Sequence, residues 1–196
     1  MDEKTKGEIT RARILEVATS LINRQGFKHT SINDLIKATG IKKGNLYYHF
    51  PSKEDLGMAI LKEVDDAFFH FLSNSLHGKG PLEKLSNFFD AIFEKHNQTN
   101  FVGGCIMGNM ALEMSDSNDR FSAVVKDVFT RWEAVITGLL SEAQESGILK
   151  SGMAPAVLAK HIVATIEGGI MLARVSKNGG DLAQCLDSLR CYLGMR

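Results

Sequence analysis

Apolar positions recur at helical spacing along nearly the whole chain, and strand-type alternation is absent over any useful length, so the chain reads as all-α. Ile14, Ala18, Leu21 and Ile22 form one stripe over residues 7–25, which Gly26 stops. Ile32, Leu35 and Ile36 fall at i, i+3, i+4 and predict a short second helix. Ser31 and Asp34 have capping-box spacing at its start, and Thr30 is an equally good cap. Gly40 stands where a left-handed residue would end that helix and turn the chain, and Ile41 returns to the core. The third helix carries Lys42, Lys43, Gly44, Asn45, Tyr47, Tyr48 and His49 around only two apolar anchors, Leu46 and Phe50. So short a helix is not held by its own propensity. Its two anchors must dock it on its neighbours, which leaves the donors facing outward.

A long fourth helix is predicted after Pro51, with Ser52 and Asp55 at capping-box spacing and Leu56, Ile60, Val64, Phe68 and Leu72 along it. At about 1.5 Å per residue it spans roughly 36 Å before Gly78 and Gly80 break it, the length of a strut between a head and a second body. Further helices are expected over residues 81–96, 105–115, 118–146, 155–177 and 182–193, with glycine pairs at 103–104 and 179–180 marking joints. Pro51, Pro81 and Pro155 all lie near helix starts, where a missing N–H costs nothing. The expected division is a head over residues 1–50 and a body over residues 51–196.

Composition adds less than distribution does. Apolar content of 44% and charged content of 23% are those of an ordinary folded protein and exclude disorder. The net charge of zero argues on its face against a nucleic-acid partner. Residues 1–55, however, hold ten Lys/Arg against seven Asp/Glu, so the basic excess sits with the helix-turn-helix pattern. The polar N-terminus has no apolar core of a signal peptide, and Lys160, His161 and Glu167 interrupt the most apolar stretch, so no membrane span is expected. Three cysteines without a CxxC suggest free thiols in a reducing cytoplasm.

The run from Thr30 to Leu56 resembles the DNA-binding signature of TetR/AcrR-type repressors. Thr30, Ile36, Gly40, Gly44, Leu46, Tyr47, Phe50, Lys53 and Leu56 match it, nine positions across 27 residues. The close match covers roughly the first 60 residues of the chain. The resemblance implies a double-stranded, pseudo-palindromic operator as partner. It also implies phosphate contacts from Thr30, Tyr47, His49 and Lys53, and groove contacts from Lys42, Lys43, Gly44 and Tyr48. Asn45 shares the exposed face. Independently of any family, phenol hydroxyls and Lys ammoniums suit phosphate oxygens, and Gly44 allows close backbone approach to a duplex.

The body is rich in Phe and Met, which fill cores and also line adaptable apolar cavities. The resemblance places a ligand pocket there, among the fourth to eighth helices. Phe68, Phe89, Phe93, Met110 and Trp132 are candidate walls, with His96, Cys105, Asn109, Glu113 and Glu167 as polar groups. The segment Gly103–Asp116 resembles one branch of the family, and a helix N-terminus beside Cys105 would stabilise its thiolate. Covalent modification of Cys105 therefore stays open as an alternative signal to a small, largely apolar effector. Leu158, Ile162, Gly168, Gly169, Leu186 and Leu189 lie on last helices that carry apolar residues on more than one side, and they are the candidate faces of a homodimer.

No nucleophile elbow, phosphate loop, HExxH motif or histidine cluster at ligand spacing occurs, so neither catalytic residues nor a metal or cofactor is expected. A helical enzyme or carrier, the rival from another class, would need a convergent acid/base or metal set that the sequence does not offer. The expected protein is an all-α cytoplasmic regulator. Its N-terminal three-helix helix-turn-helix domain is joined by a long helix to a C-terminal helical ligand-binding and dimerisation domain.

Overall fold

The computed structural model describes residues 5–195, which are helices and connecting turns without a strand. In order these are α1 (Lys6–Gln25), α2 (Ile32–Thr39), α3 (Lys43–His49), α4 (Lys53–Ser75), α5 (Pro81–Asn97), α6 (Ile106–Met114), α7 (Asp119–Glu145), α8 (Pro155–Ser176) and α9 (Gly179–Tyr192). The expected helices are all present, and the largest boundary difference is at α9. It starts at Gly179 because the Asn178 side chain accepts the Gly180 N–H at 2.9 Å, so the glycine pair opens the helix rather than separating it.

The chain packs as two compact units. The first holds residues up to Asp66 together with Ile106–Val125; the second holds Ala67–Cys105 and the chain from Lys126 onward. Helices α4 and α7 each run from one unit into the other, and α6 belongs to the first. The expected division after residue 50 ends with the helix-turn-helix pattern; the packing units divide the chain elsewhere.

In the first unit the buried side chains include Ile14, Leu15 and Ile22 of α1, Leu35 of α2, Leu46 of α3, Leu56 and Ile60 of α4, Met107 and Met110 of α6, and Phe121 of α7. Gly57 is the closest fit. A Cβ there would stand 2.6 Å from both Phe27 and Phe121, whose rings lie 5.0 Å apart over the helix backbone.

In the second unit, α8 is long and apolar enough to cross a membrane by length and composition alone. Its Leu158, Ala159, Ile162, Val163, Ile166, Gly169, Ile170 and Ala173 are instead buried in the protein core. Leu182, Leu186 and Leu189 of α9 join them, and a Cβ on Gly169 would meet Leu182 and Cys185 at 3.0 Å. The close approach expected around the α8 glycines is therefore made by Gly169 against α9 of the same chain, while a Cβ on Gly168 would meet nothing within 4 Å.

This corrects the dimer assignment. Leu158, Ile162, Leu186 and Leu189 are at most 1% exposed within a single chain and have no surface to offer a partner. The apolar residues left outside on α8 are Val157, Met171, Leu172 and Val175, with Ala164 and Gly168 between them at helical spacing. Tyr192 of α9 stands beside them, its ring 6.1 Å from that of His161.

Candidate nucleic-acid interface and effector groups

The turn between α2 and α3 is built by local chemistry. Ser31 is the N-cap of α2: its Oγ accepts the Asp34 N–H at 3.1 Å, and the Asp34 carboxylate accepts the Ser31 N–H at 2.9 Å. Those Ser31 hydrogen bonds hold the Asp34 carboxyl below the usual carboxylate range. Gly40 ends the helix in the left-handed region at φ 70°, with its N–H on the Ile36 carbonyl at 2.9 Å. The chain then extends through Lys42 into α3.

Helix α3 is docked by Leu46 and followed by Phe50, which are 1% and 3% exposed. Burying Leu46 contributes about 2 kcal/mol toward seating seven residues that would not stay helical alone. Lys42, Lys43, Gly44, Asn45, Tyr47 and Tyr48 face outward, and His49 is half-buried. Tyr48 is 83% exposed, with its ring edge-on to the half-buried His49 at 5.1 Å. The Lys43 ammonium lies 5.9 Å from the Tyr47 ring. Of the seven interface residues expected on α3, six are exposed around the helix and His49 is partly covered.

Thr30 is different. It is fully buried, and its hydroxyl donates to the Gly26 carbonyl at 2.6 Å and accepts from Gln25 Nε2 at 3.2 Å. It braces the α1–α2 turn instead of capping α2, and its side chain has no path to a phosphate. Lys53 is partly engaged: its Nζ is 3.4 Å from the Lys28 carbonyl and 4.6 Å from the Phe27 ring centre. Burial lowers the Lys53 pKa, while the Glu113 carboxylate acts the other way. Sequence reasoning missed Lys28, exposed at the same turn, and Arg11, whose guanidinium lies 5.0 Å over Phe50. Their positive charge was visible, but no spacing rule ties α1 to α3.

The candidate effector groups divide between the units. Phe68, Phe89, Phe93, His96, Cys105, Trp132 and Glu167 lie in the second; Asn109, Met110 and Glu113 lie in the first. Asn109 Nδ2 donates to Asn23 Oδ1 at 2.7 Å, Met110 is buried, and Glu113 accepts the Phe27 and Lys28 amides. Asn109 ties α6 to α1 and Glu113 ties it to the turn after α1, and none of the three lies in the unit that holds the body's aromatic set. Residue type marked all ten as candidates without saying which neighbour each meets.

Within the second unit, Trp132 is ringed by Phe68 at 5.1 Å and by Phe88 and Phe129 at 6.1 Å. Among the described residues, two buried polar atoms there have no hydrogen-bond partner, Trp132 Nε1 and Glu167 Oε1. Glu167 keeps partial exposure as a residue, but burial around its carboxyl pushes its pKa up to about 7, moderated by a hydrogen bond from the Cys105 thiol. The Cys105 thiol is thus engaged with the Glu167 carboxyl and also lies within electrostatic reach of the Lys95 ammonium. His96 is buried, and desolvation, aided by the Lys95 ammonium, lowers its pKa to about 4. Two clefts of about 360 Å³ contain none of the candidate groups; one runs along Glu16, Ser20, Arg24 and Ala38, the other along Glu83, Asn87 and Met195.

Comparison with known proteins bears on both units. The family described as bacterial regulatory proteins, tetR family, matches residues 14–60. The tetracyclin repressor-like C-terminal domain matches residues 81–189. An uncharacterized helix-turn-helix transcriptional regulator in the lacX 3' region of Lactococcus lactis subsp. lactis is 30% identical over 92% of this chain and 91% of its own length. The transcriptional repressor DhaR of Mycobacterium sp. strain GP1 is 28% identical over 90% of this chain and 88% of its own. A crystal structure of a TetR transcriptional regulator from Chloroflexus aurantiacus superposes with a TM-score of 0.88 at 31% identity, covering 97% of each chain.

Proposed function

Because the chain belongs to the TetR family of helix-turn-helix transcriptional repressors, we propose how its own residues divide the work of operator binding, pairing and release. The observation that carries the operator reading is the α3 surface, where Lys42, Lys43, Asn45, Tyr47 and Tyr48 are exposed on a helix held only by Leu46 and Phe50. Inserted into a major groove, Lys43 and Tyr48 reach base edges or flanking phosphates, and Gly44 lets the backbone come close. Lys28 and Lys53 supply further phosphate contacts from the α1–α2 turn and the start of α4.

Pairing uses the outer strip of α8, Val157, Met171, Leu172 and Val175, with Tyr192 of α9, because that is the apolar surface which a single chain leaves uncovered there. Two copies related by a two-fold axis present two α3 helices to a pseudo-palindrome. The effector is a small, largely apolar molecule received among the aromatic side chains around Trp132, with Glu167 as its polar contact. It releases the operator only by binding the released state more tightly than the bound one.

The test is salt dependence. Lys43→Ala should flatten the slope of log K against log salt by about 0.9, the signature of one lost phosphate neutralisation, and Tyr48→Ala should weaken binding with little change in slope. Wild-type affinity and slope in both variants would remove α3 from the interface.

A further inference from the structure

The turn that follows α1 is held by a residue far along the chain. Helix α1 closes at Gly26, φ 91°, whose N–H reaches the Ile22 carbonyl at 2.8 Å. The next two amides point at a single side chain of α6. Phe27 N–H donates to Glu113 Oε2 at 2.7 Å, and Lys28 N–H donates to Glu113 Oε1 at 2.6 Å. Each oxygen of one carboxylate thus takes one of two consecutive backbone donors. The seat is shaped for it, since a Cβ on Gly26 would come within 3.2 Å of both Glu113 oxygens. One helical turn back along α6, Asn109 makes its 2.7 Å bond to Asn23, and Met110 between them is 1% exposed. On the far side of the turn, Thr30 ties back to the Gly26 carbonyl.

We propose that Glu113 is a positioning residue for operator binding: its two-pronged grip on the Phe27 and Lys28 amides fixes the α1–α2 turn and presents Lys28 and Lys53 to the DNA backbone. This rests on the operator reading above. It makes the binding head dependent on α6, a helix about 60 residues downstream of it in sequence. Charge-assisted hydrogen bonds to backbone N–H groups are among the stronger ones available, and two of them replace a loose turn with one conformation. The Lys53 ammonium, 3.4 Å from the Lys28 carbonyl, is placed by the same turn.

Electrostatics and positioning make opposite demands here. Glu113 is an anion beside two cations of a DNA-binding surface, so deleting its charge should by Coulomb's law alone strengthen attraction to a polyanion. If the carboxylate positions the turn, deleting it weakens binding instead. The sign decides.

The probe is the duplex that the wild-type protein enriches from a randomised pool. Wild type, Glu113→Ala and Glu113→Gln are compared for affinity, salt slope and amide hydrogen exchange. In Glu113→Ala the Phe27 and Lys28 amides should exchange at least about tenfold faster, while the amides of Leu15 and Leu35 keep their protection. Affinity for the duplex should fall at least about tenfold and the salt slope should flatten by up to about 0.9 for each of Lys28 and Lys53 that loses its phosphate, although Glu113 itself touches none. Glu113→Gln, which keeps the side-chain volume and one acceptor oxygen, should lie between, and it carries the comparison if Ala at this position unfolds the head. Equal or tighter binding by the variants, with the two amides released, would overturn the proposal alone. A pool that yields no preferred duplex would remove the operator reading and this proposal with it.

Discussion

Glu167 gives the protein a built-in pH dependence of stability whose sign is opposite to that of most carboxylates. An ordinary Glu has a pKa near 4.5; burial raises that of Glu167 to about 7 in the fold. Below pH 4.5 the group is protonated in both folded and unfolded chains and contributes nothing to the difference. Between 4.5 and 7 the unfolded chain releases this proton and the folded chain keeps it, so stability falls as pH rises. Above 7 the full penalty of a buried carboxylate is present, at most about 3 kcal/mol. Glu167→Gln removes the titration while keeping the shape of the protonated acid. The two proteins should be close in stability at pH 4.5 and diverge progressively to pH 8, with the variant the more stable. Urea unfolding at fixed protein concentration measures this directly, since Trp132, the single tryptophan, is 2% exposed and reports on the second unit. His96 acts in the other direction, stabilising the fold above pH 6.5 and losing that contribution as pH falls toward 4. It is present in both proteins and cancels from their difference. Stability profiles of wild type and variant that stay parallel from pH 5 to 8 would refute the reasoning.

Two further predictions follow from the corrected assignments. Leu172→Glu with Val175→Glu, placed on side chains 47% and 79% exposed, should leave the helical fold intact but shift the protein to monomer in sedimentation at micromolar concentration, whereas a dimer of unchanged strength would show that pairing uses another face. Thr30→Val should cost about 1 kcal/mol in urea unfolding by leaving the part-buried Gly26 carbonyl without its 2.6 Å donor; no change would show that this hydrogen bond does not brace the turn.

Much of the proposed operator-binding surface was legible in the sequence because it is made by short-range rules. The Ser31–Asp34 box, the left-handed Gly40 and the two anchors Leu46 and Phe50 each act within a turn or two of chain, and together they leave Lys43, Gly44, Asn45, Tyr47 and Tyr48 of α3 exposed. What was not legible depended on which neighbour a helix face meets. Glu113 and Asn109 read as polar groups amid apolar material, the signature expected of a pocket, yet their partners Phe27, Lys28 and Asn23 lie some 85 residues earlier and nothing in the local pattern points there. The residues expected on a dimer face proved buried for a similar reason. Helix α8 is apolar on more than one side, and periodicity alone does not say whether the Leu158–Ile162 side or the Val157–Met171 side meets the chain's own α9.

The central claim, that two copies of α3 read one DNA site, is tested most directly by hydroxyl-radical footprinting of the bound protein on its selected duplex. The account predicts two protected half-sites related by a dyad, centred about 34–36 Å apart or somewhat more on one face of the DNA, with both lost together in Tyr48→Ala. A single continuous footprint without a dyad, or full protection by the Tyr48 variant, would contradict it.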